Sequence, residues 1–240
     1  MNKLLWIALI TGILVVSGIY GYNKWFAKAS GNEISIAKDG ATALNVDIDF
    51  GVGDLYVQGG APEWISGDFY YNHKSLEPKV TYKKRKDVGS VKIKQGKKTT
   101  FGFNTRKFEN DWDLQLTNEI PIDLNVDMGV SKSTLKLEGL QLNSLSIDSG
   151  VGDSVIDLSG DWSKGFRADM DMGVGDVTFI LPKQTGVRIT VKKGLGSVDL
   201  KEFTRQNDGV YVNEAYADSN VTIDLFLDIG VGDVKFRISE

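Results

Sequence analysis

Cysteine is missing from this chain of 240 residues, and histidine and proline are scarce, with one and four copies. Without cysteine the chain cannot form disulfides, a thiolate metal site or a cysteine nucleophile. The one histidine, His73, excludes sites built from several histidines and leaves Ser-His-Asp catalysis without its base at most positions. It lies in a polar run and is expected to be an ordinary surface residue. Walker loops, Rossmann fingerprints, nucleophile elbows and HExxH motifs are absent too, so we expect a protein that is not an enzyme and has no cofactor.

Basic residues are concentrated in one part of the chain, although the net charge is only −4. Residues 73–107 contain 12 Lys or Arg and two acidic residues, Glu77 and Asp87, which gives +10 there and −14 in the rest of the chain. A charge asymmetry of this size is typical of a protein that binds charged partners.

An apolar stretch of 19 residues without charge runs from Leu4 to Tyr22. As a helix it would be roughly 28 Å long, close to the thickness of the bilayer hydrocarbon. Aromatic residues follow it, where an interfacial belt would lie. A cleaved signal peptide is the alternative, because Ala27-Lys28-Ala29 is similar to a cleavage site. The length of the run favours an uncleaved anchor, residues 1–30, with one transmembrane helix and the following domain outside the cytoplasm at the cell membrane.

A short turn motif, Asp-x-Gly-Val-Gly-Asp, occurs four times, and two altered copies complete a set of six. The copies are Asp49–Asp54, Asp127–Lys132, Asp148–Asp153, Asp171–Asp176, Lys192–Ser197 and Asp228–Asp233. Paired glycines indicate a tight corner, and the first aspartate is expected to bond backbone N–H groups across the bend. We expect the central valine to point inward. Apolar and polar residues alternate before and after each motif, which predicts strand, turn, strand.

The spacing of the turns predicts the architecture. Their first glycines are separated by 78, 21, 23, 21 and 36 residues. A period of 21–23 residues is typical of a solenoid or a rack of hairpins, so the fold class is all-β, a solenoid-like stack of strand-turn-strand units. The step of 36 corresponds to one unit plus about 14 inserted residues, and the step of 78 to three or four units without the motif. The domain is expected to comprise residues 44–240, after a linker at residues 31–43.

Residues 61–113 differ from the repeats, because aromatic residues there alternate with basic ones. We interpret this insertion as a meander or a pair of hairpins with one lysine-rich face. Lysine there would either keep exposed edge strands from pairing or form a platform for anionic lipid headgroups or wall polymers. Nucleic acid is not expected as a partner. The candidate residues for an anionic surface are Lys83, Lys84, Arg85, Lys86, Lys97 and Lys98.

The repeated aspartates could form columns if the units stack about 4.8 Å apart. Carboxylates at that spacing could hold Ca²⁺, but turn aspartates usually cap the backbone, and we expect no metal site. A hydrolase with two carboxylates is a further alternative. It would need an isolated pair of carboxylates, and no pair in the sequence stands apart from the repeats.

Two segments carry a resemblance to a known family. Trp112–Gly160 and Gly173–Leu200 resemble the toast-rack domain of LiaF-type cell-wall stress proteins, with Gly-x-Gly corners after alternating strands and a Leu-Pro before a Gly-Val strand. The resemblance extends over roughly residues 44–238. A single apolar span is more similar to LiaG-type relatives than to LiaF proteins, which have several spans. The resemblance implies a Gram-positive envelope protein without catalysis, and it supplies no site residues.

The sequence therefore predicts a membrane-anchored, non-enzymatic protein of the envelope stress response. Its expected partners are a membrane signalling protein, or an anionic wall polymer or lipid. Two alternatives remain, a structural adhesin or self-assembling scaffold and a carbohydrate-active enzyme.

Overall fold

The computed structural model describes residues 30–96 and 109–240 as strands joined by turns. The strands are β1 (Ser30–Ile36), β2 (Ala43–Gly59), β3 (Ile65–Tyr71), β4 (Lys79–Arg85), β5 (Val88–Lys94), β6 (Asn110–Leu116), β7 (Pro121–Lys136), β8 (Gln141–Val151), β9 (Ser154–Asp157), β10 (Phe166–Val174), β11 (Val177–Leu181), β12 (Gly186–Leu195), β13 (Val198–Asp199), β14 (Thr204–Asn207), β15 (Val210–Val212), β16 (Thr222–Val231) and β17 (Val234–Ile238). Two short 3-10 helices lie at Lys74–Leu76 and Glu214–Ala217.

The described strands form seven parallel rungs. In six of them the chain passes from one limb through a corner to the other, and in the rung of β5 and β6 the residues that join the limbs, 97–108, lie outside the described ranges. From one end of the stack to the other, the rungs are β5 with β6, then β2, β7, β8 with β9, β10 with β11, β16 with β17, and β12 with β13. β2 and β7 run through their corners as single strands. The predicted all-β stack of strand-turn-strand units is therefore confirmed.

Antiparallel strands cover the two ends of the stack. β4 pairs with β5 at one end, where β3 also pairs with β6 and β1 with β3. β15 pairs with β12 at the other end and β14 with β15. The β4–β5 hairpin agrees with the predicted hairpin in the basic insertion.

The core lies between the two limbs, because alternating apolar residues of both limbs point toward each other. Leu145 and Ile147 of β8 are buried before a corner, and Ile156 of β9 is buried after it. At one end Trp112 packs edge-on against Phe50, with ring centroids 4.9 Å apart. Stacking in register repeats each buried position from rung to rung, which gives one continuous core along the stack.

The rung order departs from the chain order at the C-terminus. β16 and β17 lie between the rung β10–β11 and the rung β12–β13, although they follow both in sequence. The altered motif Lys192–Ser197 thereby becomes the last rung of the stack. Residues 200–221 pass outside β12 and add β14 and β15 there before the chain returns to fill the gap.

Two further differences concern the first half of the chain. The 78-residue step contains one rung, β5 with β6, and not the three or four units expected from its length. The difference arises because β3 and β4 pair antiparallel at the end of the stack and do not form rungs. Residues 30–36, in what the sequence indicates is anchor and linker, form the paired strand β1. The predicted transmembrane helix lies outside the described residues, and within residues 30–96 and 109–240 no helix has the length and hydropathy of a membrane span.

Candidate functional site

The corners align five aspartates in one column, which we call the first aspartate column. Its members are Asp49, Asp127, Asp148, Asp171 and Asp228, each the register partner of the next. A lysine lies at each end of the column, because Lys94 is the register partner of Asp49 and Lys192 is the register partner of Asp228. The Lys94 ammonium lies 2.9 Å from the Asp49 carboxylate, and this hydrogen bond raises the pKa of Lys94. Burial and the charges of Asp127 and Asp171 raise the pKa of Asp148 in the middle of the column.

The second aspartate of each motif has a different role. In this second aspartate column, Asp54, Asp153, Asp176 and Asp233, three carboxylates accept a backbone N–H from the neighbouring rung. Asp153 Oδ1 accepts from the N–H of Asp176 at 3.1 Å, and Asp176 Oδ1 accepts from the N–H of Asp233 at 2.9 Å. Asp233 Oδ1 accepts from both the N–H and the hydroxyl of Ser197, which lowers the pKa of Asp233.

These bonds revise the expected aspartate chemistry. The capping aspartate is the second one of the motif and not the first, and it caps the next rung and not its own bend. Stacking rather than turn closure is therefore what these carboxylates stabilise. In the part of the chain that the structure describes, no group of three or more His, Cys, Asp or Glu side chains is arranged to hold a metal ion.

The central residues of the motifs form an apolar line at the corners. Five of the six are exposed, so the expectation that they point inward was wrong for these five, whereas Val52 is partly buried and packs against the core. The line, here called the valine ridge, comprises Val52, Val130, Val151, Val174, Val231 and Leu195, in register across six rungs. The exposed fractions are 57%, 46%, 49%, 44% and 73% for Val130, Val151, Val174, Val231 and Leu195.

The outward orientation results from a shift of one residue within each corner. Buried positions are odd-numbered before the corner of β8–β9, at Leu145 and Ile147, and even-numbered after it, at Ile156 and Leu158. One extra residue must therefore be accommodated in the corner, where Gly152 adopts a φ of 138°. The sequence contains this signal, because the apolar alternation changes phase across every full copy of the motif.

The predicted anionic-surface residues are divided by the structure. Lys83 and Arg85 lie exposed on β4, and Lys86 occupies the following turn. Lys84 lies between Lys83 and Arg85 and therefore projects from the opposite face of β4, where its ammonium donates to the backbone oxygen of Asp39 at 2.6 Å. Lys97 and Lys98 lie outside the described residues.

Ion pairs separate the basic residues of this hairpin into two groups. Lys92 pairs with Asp47 at 3.3 Å, as Lys94 does with Asp49. Within the described ranges, no ion pair involves the other exposed basic residues of β4 and its turn, a set that we call the basic strip. Its members are Lys79, Lys83, Arg85 and Lys86.

A concave acidic surface lies on the limb after the corner at the same end of the stack. This acidic groove has a volume of about 520 Å³ and contains Asp54, Asp68, Asp111 and Asp113. Burial, followed by the charges of Asp54 and Glu109, raises the pKa of Asp111 to about 6. Asp54 faces Asp111 and Asp68 faces Asp113 in the strand register, so the carboxylates occupy adjoining positions.

Comparisons with known proteins agree with this architecture. The family model described as the N-terminal domain of toast_rack matches residues 25–180. The model described as cell wall-active antibiotics response LiaF, C-terminal, matches residues 130–236. No match was found among curated proteins.

Solved structures give a fold match. A protein from Clostridium sporogenes described as a "putative cell adhesion protein" superposes with a TM-score of 0.81 at 24% identity, covering 88% of this chain and all of that one (100%). At this identity the match establishes a shared fold. The alignment with a "putative adhesin" from Bacteroides fragilis covers 88% of this chain and 97% of that one at 13% identity. Its TM-score is 0.30, and we draw no conclusion from it.

Proposed function

The chain belongs to the toast-rack family, and we propose that it is a non-enzymatic, membrane-anchored envelope protein that takes part in the response to cell-wall stress. The match of residues 130–236 to a family described by its response to cell wall-active antibiotics supports this role. The apolar N-terminal run supports the anchor and a domain outside the cytoplasm. We infer an accessory or regulatory part in this response, through contact with a signalling protein or an anionic polymer. The surface described next supports the contact with an anionic polymer.

The basic strip is the main observation that supports the contact with an anionic partner. Lys79, Lys83, Arg85 and Lys86 are distributed along β4 and its turn, without the carboxylate partners that Lys92 and Lys94 have. Unpaired cations on a rigid sheet can bind an anionic partner without first breaking an internal ion pair. We infer that this strip contacts anionic wall polymer or anionic lipid headgroups, whose shared chemistry is a dense array of phosphate groups.

A binding experiment tests this contact. The full-length chain in phosphatidylcholine nanodiscs should bind poly(glycerol phosphate), a teichoic-acid-like polymer, with affinity that falls as salt is raised. Anionic liposomes provide the second arm, which distinguishes a lipid source of phosphate from a wall polymer. The double variant Lys83→Ser with Arg85→Ser should lose most of its binding to whichever of the two probes, polymer or anionic liposomes, the wild-type chain binds.

A matched variant keeps the charge change constant. Lys183 and Lys235 are exposed and lie away from β4, so changing both to Ser removes the same two charges from another surface. If both double variants bind equally, the net charge alone is responsible, and the basic strip is not the contact.

A self-assembling scaffold or adhesin is the second candidate. β1 and β14 each have one paired neighbour among the described strands, and the side chains of β14 are exposed. An edge strand of this kind can pair with another molecule. Sedimentation velocity that shows a monomer across the accessible concentration range would count strongly against this candidate.

A further inference from the structure

The valine ridge is not required by the fold that produces it. The corner is made by the glycines in the full motifs, and with Ser131 in place of the second glycine in β7. Five of the six central side chains are 44–73% exposed, so a polar residue at these positions would lose only part of a side chain's burial. Yet the two altered motifs, Asp127–Lys132 and Lys192–Ser197, have lost aspartates or a glycine and still have an apolar residue at this position, Val130 and Leu195. Exposed apolar residues scattered singly are common, but a continuous line of them indicates an interaction surface.

Acidic columns lie along both sides of the ridge. In each full motif, an aspartate of the first column lies three residues before the ridge residue and one of the second column lies two residues after it. Asp127, Asp148 and Asp171 are exposed beside the centre of the ridge, and Asp153 and Asp176 are exposed on the other side. Lys132 is the one basic residue among the flanking positions between the terminal rungs.

This charge pattern decides between the occupants. Two ridges placed face to face would bring like-charged columns together, which is unfavourable, so a second copy is disfavoured. An anionic membrane or polymer is repelled for the same reason. A partner with an apolar line flanked by Lys or Arg is complementary in both apolar contact and charge.

The spacing of the ridge favours a helical partner. Register stacking places the six ridge residues about 4.8 Å apart, over a length of about 24 Å. One turn of an α-helix rises about 5.4 Å, so the spacing of apolar residues at successive turns is close to the spacing of the rungs. Alternate residues of a strand are about 6.6 Å apart, which is a poorer match. Five turns, about 18 residues, would span the ridge.

We propose that the valine ridge and its two aspartate columns form a docking surface for a cationic amphipathic helix of another protein. This surface is separate from the basic strip, which has the opposite charge. The proposal therefore does not depend on the anionic contact inferred above.

A model peptide tests the proposal directly. The probe is a fluorescein-labelled helix of 18 residues made of leucine and lysine, with leucine on one face, and binding is followed by fluorescence anisotropy. The protein is the full-length chain in phosphatidylcholine nanodiscs, with empty nanodiscs as the blank. We expect saturable binding that weakens as salt is raised. A peptide of the same composition without an apolar face, and one with Glu in place of Lys, should bind far more weakly.

Two pairs of variants locate the site. Val151→Ser with Val174→Ser should weaken binding about tenfold, because two half-exposed valines lose their apolar contact. The matched control is Val88→Ser with Val155→Ser, which changes two other exposed valines, each 37% exposed, away from the ridge. Asp148→Asn with Asp171→Asn should reduce the salt dependence of binding, whereas Asp161→Asn should leave it unchanged.

Three results would overturn the proposal. The first is equal affinity of the ridge variant and its valine control, and the second is equal binding of the peptide without an apolar face. The third is a dimer of the wild-type chain in sedimentation that Val151→Ser with Val174→Ser dissociates, because the ridge would then be occupied by a second copy.

Discussion

Replacing Gly175 by alanine tests how closely the rungs approach each other at the corners. Gly175 is the second glycine of its motif and has a φ of 147°. Its N–H donates to the carbonyl oxygen of Val231 at 2.9 Å in one neighbouring rung. A Cβ added to Gly175 would overlap the carbonyl oxygen of Gly152 in the other neighbouring rung. Alanine therefore requires both an unfavourable backbone conformation and a displacement of the corner.

The expected loss of stability combines two costs. A non-glycine residue in this region of φ costs about 1–3 kcal/mol. Displacing the corner also weakens the bond from Gly175 to Val231 and that from Gly152 to Val174, 2.8 Å long, each with a net value of about 1 kcal/mol. The free energy of unfolding should fall by roughly 3–5 kcal/mol, which corresponds to a decrease in Tm of about 10 °C for a chain of this size.

Urea unfolding and thermal melting of the full-length chain measure this loss, and Gly60→Ala provides the matched control. Gly60 also has a positive φ, 96°, but an added Cβ would meet no heavy atom within 4 Å. The control should therefore lose only the conformational part, about 1 kcal/mol. If both variants melt at the same temperature, close approach of the rungs does not constrain the corner, and the stacking argument is refuted.

Three more predictions concern charge and packing. The raised pKa of Asp111, about 6, means that the folded state binds its proton more tightly, so stability falls as pH rises from about 4 to 6. Asp111→Asn should thus raise the Tm at pH 7.5, by the equivalent of about 1 kcal/mol after allowance for solvent screening, and should have no effect on Tm at pH 3. Phe236→Ala should cost about 3–5 kcal/mol in urea unfolding, because Phe236 is fully buried and stacks on Phe179 with ring centroids 4.9 Å apart; Val155→Ala, on the exposed face, should cost much less. The lowered pKa of Asp233 means that its stabilisation is present above the usual aspartate pKa and is lost as pH falls through the folded pKa. Asp233→Ala should accordingly lower the Tm at pH 7 more than Asp233→Asn, which keeps an acceptor oxygen, and equal losses would show that the acceptor is unimportant.

The electrostatic pattern has a simple relation to the stack. Five neighbouring rungs each add an aspartate to the first column. Burial, followed by the charges of Asp127 and Asp171, raises the pKa of Asp148. The second column avoids this cost in part, because Asp153, Asp176 and Asp233 accept backbone N–H groups. The register partners of the terminal aspartates in the first column are lysines, Lys94 beside Asp49 and Lys192 beside Asp228.

Some elements could be predicted from the sequence because their causes are local. Alternation of apolar and polar residues depends on the two-residue period of a strand, and paired glycines mark a corner wherever the chain must turn tightly. The alignment of Asp127, Asp148 and Asp171 follows from the similar spacing of the repeats, 21 and 23 residues, and the structure places these residues in register. The exposed basic residues of β4 follow from their density in one short segment. Their role, like that of Lys97 and Lys98, stays a prediction.

The tertiary structure alone decided the rung order. The direction of the ridge is also indicated in the sequence, by the change in phase of the apolar alternation across each full motif. The order of the motifs along the chain would place Lys192–Ser197 beside Asp171–Asp176, but the structure places Asp228–Asp233 there, and only the complete stack shows this order. The exposed residues of the valine ridge point outward because each corner shifts the alternation by one residue. The second glycine accommodates this shift in the full motifs, and Ser131 occupies the same position in β7, where the alternation also changes phase. The sequence by itself thus determined the repeating unit, through local hydrophobic periodicity and turn chemistry. The tertiary structure decided how the units stack and which of their side chains remain exposed, because hydrogen bonds between rungs are formed only when distant parts of the chain meet.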